Sequence, residues 1–160
     1  MPWMRLTRMG DTFIGHYSTN GVNWDLVWWT TIVNMPETLE AGLAVTAHKN
    51  GGTATALFTN VSVGPLLPLS GVAADTQPRI YLGGENGGLA EFQRVGGFKA
   101  LVTGRIGGVF AVRGATALDV PFSSGALVST VTNEFGVVPF VDSSAFTNSI
   151  RFYRAVQSSP

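Results

Sequence analysis

The chain contains no cysteine, which excludes disulfides, thiol nucleophiles and thiolate metal sites and leaves the redox compartment open. Charge is scarce: 12% of the 160 residues are Asp, Glu, Lys or Arg, about half the usual share of ~25%. Ten cations and ten anions cancel to a formal net charge of zero, and the cations are scattered from Arg5 to Arg154. No positive field or basic patch is therefore available for a polyanion, and nucleic acid is not an expected partner. Met1-Pro2-Trp3-Met4-Arg5 lacks an apolar run after a basic start, so no signal peptide is expected in this chain, and its localisation stays open. Residues 50–74 carry no charge, but Gly51, Gly52, Pro65 and Pro68 interrupt them. A membrane helix of ~20 apolar residues is thereby excluded, and a soluble protein is expected. No stretch keeps a helical period of 3.6 residues long enough to define a helix.

What is abundant is strand material: 45% hydrophobic residues, twenty glycines and many Val, Thr and Ser. The length supports one domain or two very small ones. Trp3 to Met9, Thr12 to Ser18 and Asn23 to Thr31 read as strands joined by the turns Gly10-Asp11 and Thr19-Asn20-Gly21. Leu39 to Ala47 and Thr53 to Val63 flank the Gly-rich turn 48–52 and are expected to form a further antiparallel pair. Pro65, Pro68, Gly71 and Pro78 make 64–78 a connection. Arg79 to Leu82, Phe98 to Thr103, Val109 to Arg113, Ala126 to Thr132, Val137 to Val141 and Ser149 to Val156 are the later strands. Gly83 to Gly88 lacks the Lys-Ser/Thr pair and following helix of a phosphate loop, so its glycines read as turn residues. The expectation is an all-β antiparallel sandwich, jelly-roll or Ig-like, with a first segment 1–63, a linker 64–78 and a second segment 79–160. The two segments are expected to pack as a single sandwich.

Two sets of residues carry family resemblances. Trp3-Met4-Arg5-Leu6-x-Arg8-x-Gly10, Phe13-x-x-x-Tyr17-Ser18-x-x-Gly21-x-x-Trp24, Gly42-Leu43-Ala44-Val45-Thr46-x-His48 and Phe58-x-Asn60-Val61-Ser62-Val63 form the first. This segment resembles the C-terminal part of concanavalin A-like lectin/glucanase (laminin G-like) domains of modular secreted bacterial proteins, without their N-terminal strands. The second set is Phe98-x-x-x-Val102-x-Gly104, Gly108-x-Phe110-x-Val112, Gly136-x-Val138-x-Phe140-x-Asp142 and Arg151-Phe152-Tyr153-Arg154-Ala155. Gly97 to Gln157 is similar to the short β-sandwich repeats of such proteins, although a Trp common in those repeats is replaced by the Pro121-Phe122 region. Together they imply the tail of a longer modular protein whose parent is secreted. The resemblance puts Phe13, Tyr17 and Trp24 in the core and His16 on the opposite, ligand-holding face.

The residues that could carry chemistry are few. His16, His48, Asp25 and Glu40 would form a His-carboxylate base only if the fold brought them into one cleft. No Gly-x-Ser-x-Gly elbow is present, and Ser123-Ser124-Gly125 and Asp142-Ser143-Ser144 are turn compositions. A hydrolase would therefore use metal-bound water. Ca²⁺ is the metal that fits the oxygen donors Asp11, Asp25, Asn20, Asn23 and Asp142, while two histidines are too few for a His-rich zinc site. Glu37 and Glu40 are three apart, which separates them on a strand, and the glucanase acid/base motif is absent. Strict alternation gives Trp24 and Trp28 one face and Trp29 the other, so one side serves the core and the other an exposed platform for a sugar ring or acyl chain.

Three functions remain: a non-catalytic carbohydrate-binding or adhesive sandwich, a Ca²⁺-dependent hydrolase of esters or lactones such as acyl-homoserine lactones, and a structural spacer. The first, with Trp28 and Trp29 as ligand-binding residues, is the reading that the resemblances favour. No organic cofactor or membrane contact is expected, and an exposed edge strand implies a homodimer.

Overall fold

Short β-branched and aromatic runs punctuated by Gly and Asn turns give strands wherever a sheet partner is available. A computed structural model describes residues 2–68, 78–82, 97–119, 121, 123–147 and 150–159. The described chain is all-β, with three antiparallel three-stranded sheets. The strands are β1 (Trp3–Met9), β2 (Thr12–Ser18), β3 (Asp25–Thr31), β4 (Arg79–Leu82), β5 (Phe98–Thr103), β6 (Val109–Ala115), β7 (Ala126–Thr132), β8 (Val137–Asp142) and β9 (Phe152–Ser159), with a 3₁₀ turn at Ser143–Thr147. The chain divides into a first unit, Met1–Val33 with Leu66–Pro160, and a second, Asn34–Pro65. The glycine run 83–88, Phe122, Ser149 and most of the expected connection (69–77) lie outside the described residues.

In the first unit the sheets are ordered β1-β2-β3, β4-β5-β8 and β7-β6-β9. The central strand of the middle sheet is apolar on both faces. Ala100 and Val102 of β5 pack with Phe110, Val112, Val131, Phe140 and Ala155, making a two-sheet sandwich. Leu101 of β5 and Val137 of β8 point the other way and pack with Ile14 and Trp29 of the β1-β2-β3 sheet. A strand covered on both sides reads as a continuous apolar run rather than an alternating one, and Phe98-Lys99-Ala100-Leu101-Val102 is such a run. Its one cation, Lys99, donates from Nζ to Thr12 Oγ1 at 2.7 Å.

Two polar groups fasten the sandwich. Asn133 is fully buried, and its side-chain amide donates to Gly104 O at 2.8 Å. Its own N–H and C=O meet Gly108 O and Gly107 N. Asp142, at the end of β8, is also buried. Its Oδ1 accepts from Ser144 N at 3.0 Å and from Ser144 Oγ at 2.6 Å. Its Oδ2 accepts from the Tyr153 phenol at 3.0 Å. Arg151 Nε stands 2.7 Å from the same Oδ2, a charge contact without an aligned N–H···O bond. Tyr153 in turn stacks on Phe98 with ring centroids 4.4 Å apart. Main chain packs on main chain at the end of β8: a Cβ at buried Gly97 would stand 2.5 Å from Asp142 O and 2.8 Å from Ser143 Cα. Because both obstacles are main chain, Gly97→Ala is expected to cost more than ~2 kcal/mol, read as a lower urea midpoint at unchanged m-value. An unchanged midpoint would show that the two segments can separate freely.

The second unit departs from expectation. Leu39 to Ala47 and Thr53 to Val63 form no strand, although the tip between them does turn. Gly52 N donates to Lys49 O at 3.0 Å, and Gly51 takes φ 72°, as the third position of a type II turn requires. Leu43, Val45, Leu57, Phe58, Val61 and Val63 are all exposed. Strands need a covered face as well as a pattern, and among the described residues no apolar layer covers these arms. Among the described residues no helix is long and apolar enough to cross a membrane.

Candidate functional site

The β1-β2-β3 sheet has one face against the middle sheet and one toward solvent, and β2 decides which residues go where. Thr12, Ile14, His16 and Ser18 are buried, whereas Phe13 and Gly15 are half-buried and Tyr17 is exposed. This inverts the expected facing: Phe13 and Tyr17 look outward and His16 looks inward. Both sets of side chains would suit a core. The choice is made by Leu101 and Val137, which pack onto Ile14 and Trp29.

Register then defines the outward face as three cross-strand rows. Met4 pairs with Tyr17, Leu6 with Gly15 and Arg8 with Phe13. On the other side of β2, Tyr17 pairs with Asp25, Gly15 with Trp28 and Phe13 with Thr30. At strand spacings of ~4.8 Å and ~3.4 Å per residue the face measures roughly 10 by 14 Å. Its centre is Gly15, over which the Trp28 indole lies, with Trp28 Cε3 3.6 Å from where a Cβ would stand. Trp28 keeps 42% of its surface exposed, and Met4, Leu6 and Tyr17 are exposed around it. Arg8 places its guanidinium 5.6 Å from the centre of the Phe13 ring. Aromatic faces with polar rims at Arg8, Thr30 and Asp25 make a platform able to stack against a flat apolar ring surface and bond to its edges.

A bulge makes this arrangement possible. The β2–β3 register shifts between Gly15 and His16, which leaves Val27 without a ladder partner. Leu26 and Trp29 therefore both face inward, while Trp28 faces out. Strict alternation would have kept Trp24 with Trp28; Trp24 instead lies half-buried outside the strand, beyond the bulge. Trp29 is 3% exposed, so its indole is core and offers no platform. Phe13, Tyr17, Leu6, Met4 and Arg8 carry no motif in the sequence that marks them as ligand residues. Their period-2 spacing in β1 and β2 was visible, but not which face was covered.

The inner face holds His16 in a row with Arg5 and Leu26. His16 is 4% exposed, and its Nδ1 has no hydrogen-bond partner. Burial, reinforced by the Arg5 guanidinium, pulls its pKa down from 6.5 to about 4. Arg5 donates from Nη2 to Leu67 O, and burial lowers its pKa as well. A neutral imidazole buried away from solvent is badly placed to activate water.

The other expected catalytic and metal residues are dispersed. Asp25 is exposed on the outer face, on the side of the sheet opposite His16. His48 and Glu40 are exposed in the second unit. Asp11 sits at the β1–β2 turn, while Asp25 pairs with Tyr17 near the other end of β2, some 20 Å away by strand rise. One ion cannot take both. The Asn20 Oδ1 accepts from Val22 N and Asn23 N, which commits it to the turn. Asp142 is taken up by Ser144, Tyr153 and Arg151. Among the described residues no three His, Cys, Asp or Glu gather as a metal would need. The oxygen donors proposed for Ca²⁺ thus do not fit one ion.

No known family, characterised protein or solved structure matches the chain. The site must therefore be read from its own geometry. An open groove of about 520 Å³ runs between β4 and β9, beside Ile80, Tyr153 and Arg154. Its phenol is engaged with Asp142, and burial together with that hydrogen bond holds the Tyr153 pKa well above the usual phenol range. Among the described residues, the outer face of β1-β2-β3 carries a pattern of aromatic and polar side chains suited to recognition.

Proposed function

We propose that this chain is a non-catalytic carbohydrate-binding β-sandwich, an accessory module of the lectin-like kind found in modular bacterial proteins. The observation that carries the proposal is the half-exposed Trp28 indole seated on Gly15 and flanked by Tyr17 and Phe13. Gly15 offers no side chain opposite Trp28, so the indole rests against the sheet with Cε3 at van der Waals distance, and a ring already packed this way loses little rotamer entropy when a sugar ring stacks on it. Arg8, Thr30 and Asp25 supply donors and acceptors at the rim, where equatorial hydroxyls of a stacked ring would reach. The face is small and open, which suits weak binding made useful by several modules in one protein.

Retention in gels containing a panel of soluble polysaccharides tests this reading. The chain is expected to be slowed by at least one neutral polysaccharide, and Trp28→Ala to weaken that binding about 10- to 100-fold. Tyr17→Ala should weaken it less. Both side chains are exposed, so thermal midpoints should move little. No retardation by any polysaccharide, or equal retardation of the Trp28→Ala chain, would sink the proposal.

A further inference from the structure

The second unit carries apolar side chains in a strand pattern but forms no strand. In 39–47 the residues Leu39, Ala41, Leu43, Val45 and Ala47 alternate with Glu40, Gly42, Ala44 and Thr46. All but Ala47 are exposed, Leu43 to 58%. An exposed period-2 segment is a template for pairing with another strand. The question is which one.

The pattern is self-complementary. Antiparallel pairing of 39–47 with a second copy, centred on Leu43, sets Leu39 opposite Ala47, Ala41 opposite Val45, and Leu43 opposite its own counterpart. Leu39, Ala41, Leu43, Val45 and Ala47 then lie on one face, and each meets one of the same five on the other copy, as a half-buried sheet requires. On the other face Gly42 meets Ala44, and Glu40 meets Thr46. The segment's single charge never faces its copy. A two-fold axis through Leu43 generates this pairing without strain on the register, the commonest symmetry of homodimers. The uncharged arm 53–63 follows the turn at Lys49–Gly52. With it, each copy offers about twenty residues, the size of a standard interface side.

We infer that residues 39–47 are a dimerisation strand that pairs antiparallel with the same segment of a second copy about Leu43. The inference is independent of sugar binding, which uses the first unit.

Sedimentation of the full chain between about 1 and about 100 µM tests it, together with two charge variants at the axis. The wild-type chain is expected to associate to a dimer in the micromolar range, and amide exchange in 39–47 to slow as it does. Leu43→Asp places two carboxylates opposite each other and Leu43→Lys two ammonium groups. Each is expected to raise the dimer dissociation constant at least ~30-fold, while an equal mixture of the two dimerises again. Near-ultraviolet dichroism from Trp29 reports that the first unit stays folded in both variants. A wild-type chain that remains monomeric overturns the inference. So does dimerisation that survives either substitution, and so does a mixture that stays monomeric. Slow exchange in 39–47 of a monomer would mean that the arm docks within its own chain, which also overturns it.

Discussion

Lowering the pH from 7 to 4 is expected to weaken the fold by on the order of 3 kcal/mol through His16 alone. The folded-state pKa of about 4 stands below the 6.5 of the unfolded chain, and that difference sets the free energy. The shift is a depression, so the unfolded state binds the proton first. Above pH 6.5 both states hold neutral imidazole and His16 contributes no pH dependence. Between 6.5 and 4 the unfolded chain is protonated while the folded one is not, and stability falls as the pH falls. Below 4 both are protonated and the loss from this group levels off. The cause is first burial and then the neighbouring Arg5, so no opposing carboxylate offsets it. Urea midpoints at pH 7, 5.5 and 4 measure the effect, and His16→Leu isolates it from the carboxylates that titrate in the same range. The variant should lose less stability on acidification, and at pH 7 it should be no less stable, because the unpartnered Nδ1 is gone. Equal pH slopes for the two chains would place His16 in contact with solvent.

The second large effect is expected at Asp142. Removing one partner of a buried ion pair leaves the other charge uncompensated and typically costs 3–5 kcal/mol. Asp142 and Arg151 have side chains only 3% and 13% exposed, and the same carboxylate also holds Ser144 and the Tyr153 phenol. Asp142→Ala is therefore expected to lose on the order of 4 kcal/mol, a large part of the 5–15 kcal/mol typical of a domain. Removing both charges as Asp142→Leu with Arg151→Met should cost less than Asp142→Ala alone, since no orphaned guanidinium remains. The Arg151 side chain lies close across β6, where a Cβ at Gly114 would stand 2.8 Å from its Nε. Thermal melts of the three chains decide the matter. A double variant worse than Asp142→Ala would show that the pair stabilises the fold outright.

Much of the strand plan was legible in the sequence. Thr12–Ser18, Phe98–Thr103 and Ala126–Thr132 begin and end where the β-branched runs meet Gly or Asn turns. These signals are local: a turn glycine and a change of composition need no knowledge of the rest of the chain. The arms 39–47 and 53–63 carried the same local signals and formed no strand. Alternation records what a strand needs from its surroundings, and it does not supply the surroundings.

The candidate site shows the same division. The presence of Trp28 and Trp29 on opposite faces followed from adjacent positions in a strand. Which one met solvent did not, nor did the bulge at Val27 that separated Trp28 from Trp24.

By itself, then, the sequence determined an all-β chain, the positions of most strands, and two opposed faces for each of them. Only the tertiary structure decided that Leu101 and Val137 cover the His16 side of β2 and leave the Tyr17 and Trp28 side open. The reason is that period-2 spacing is symmetric between two faces when both hold apolar residues. That symmetry is broken only by the shape and volume of the layer that packs against one of them, and that layer, Leu101 and Val137, comes from far later in the chain.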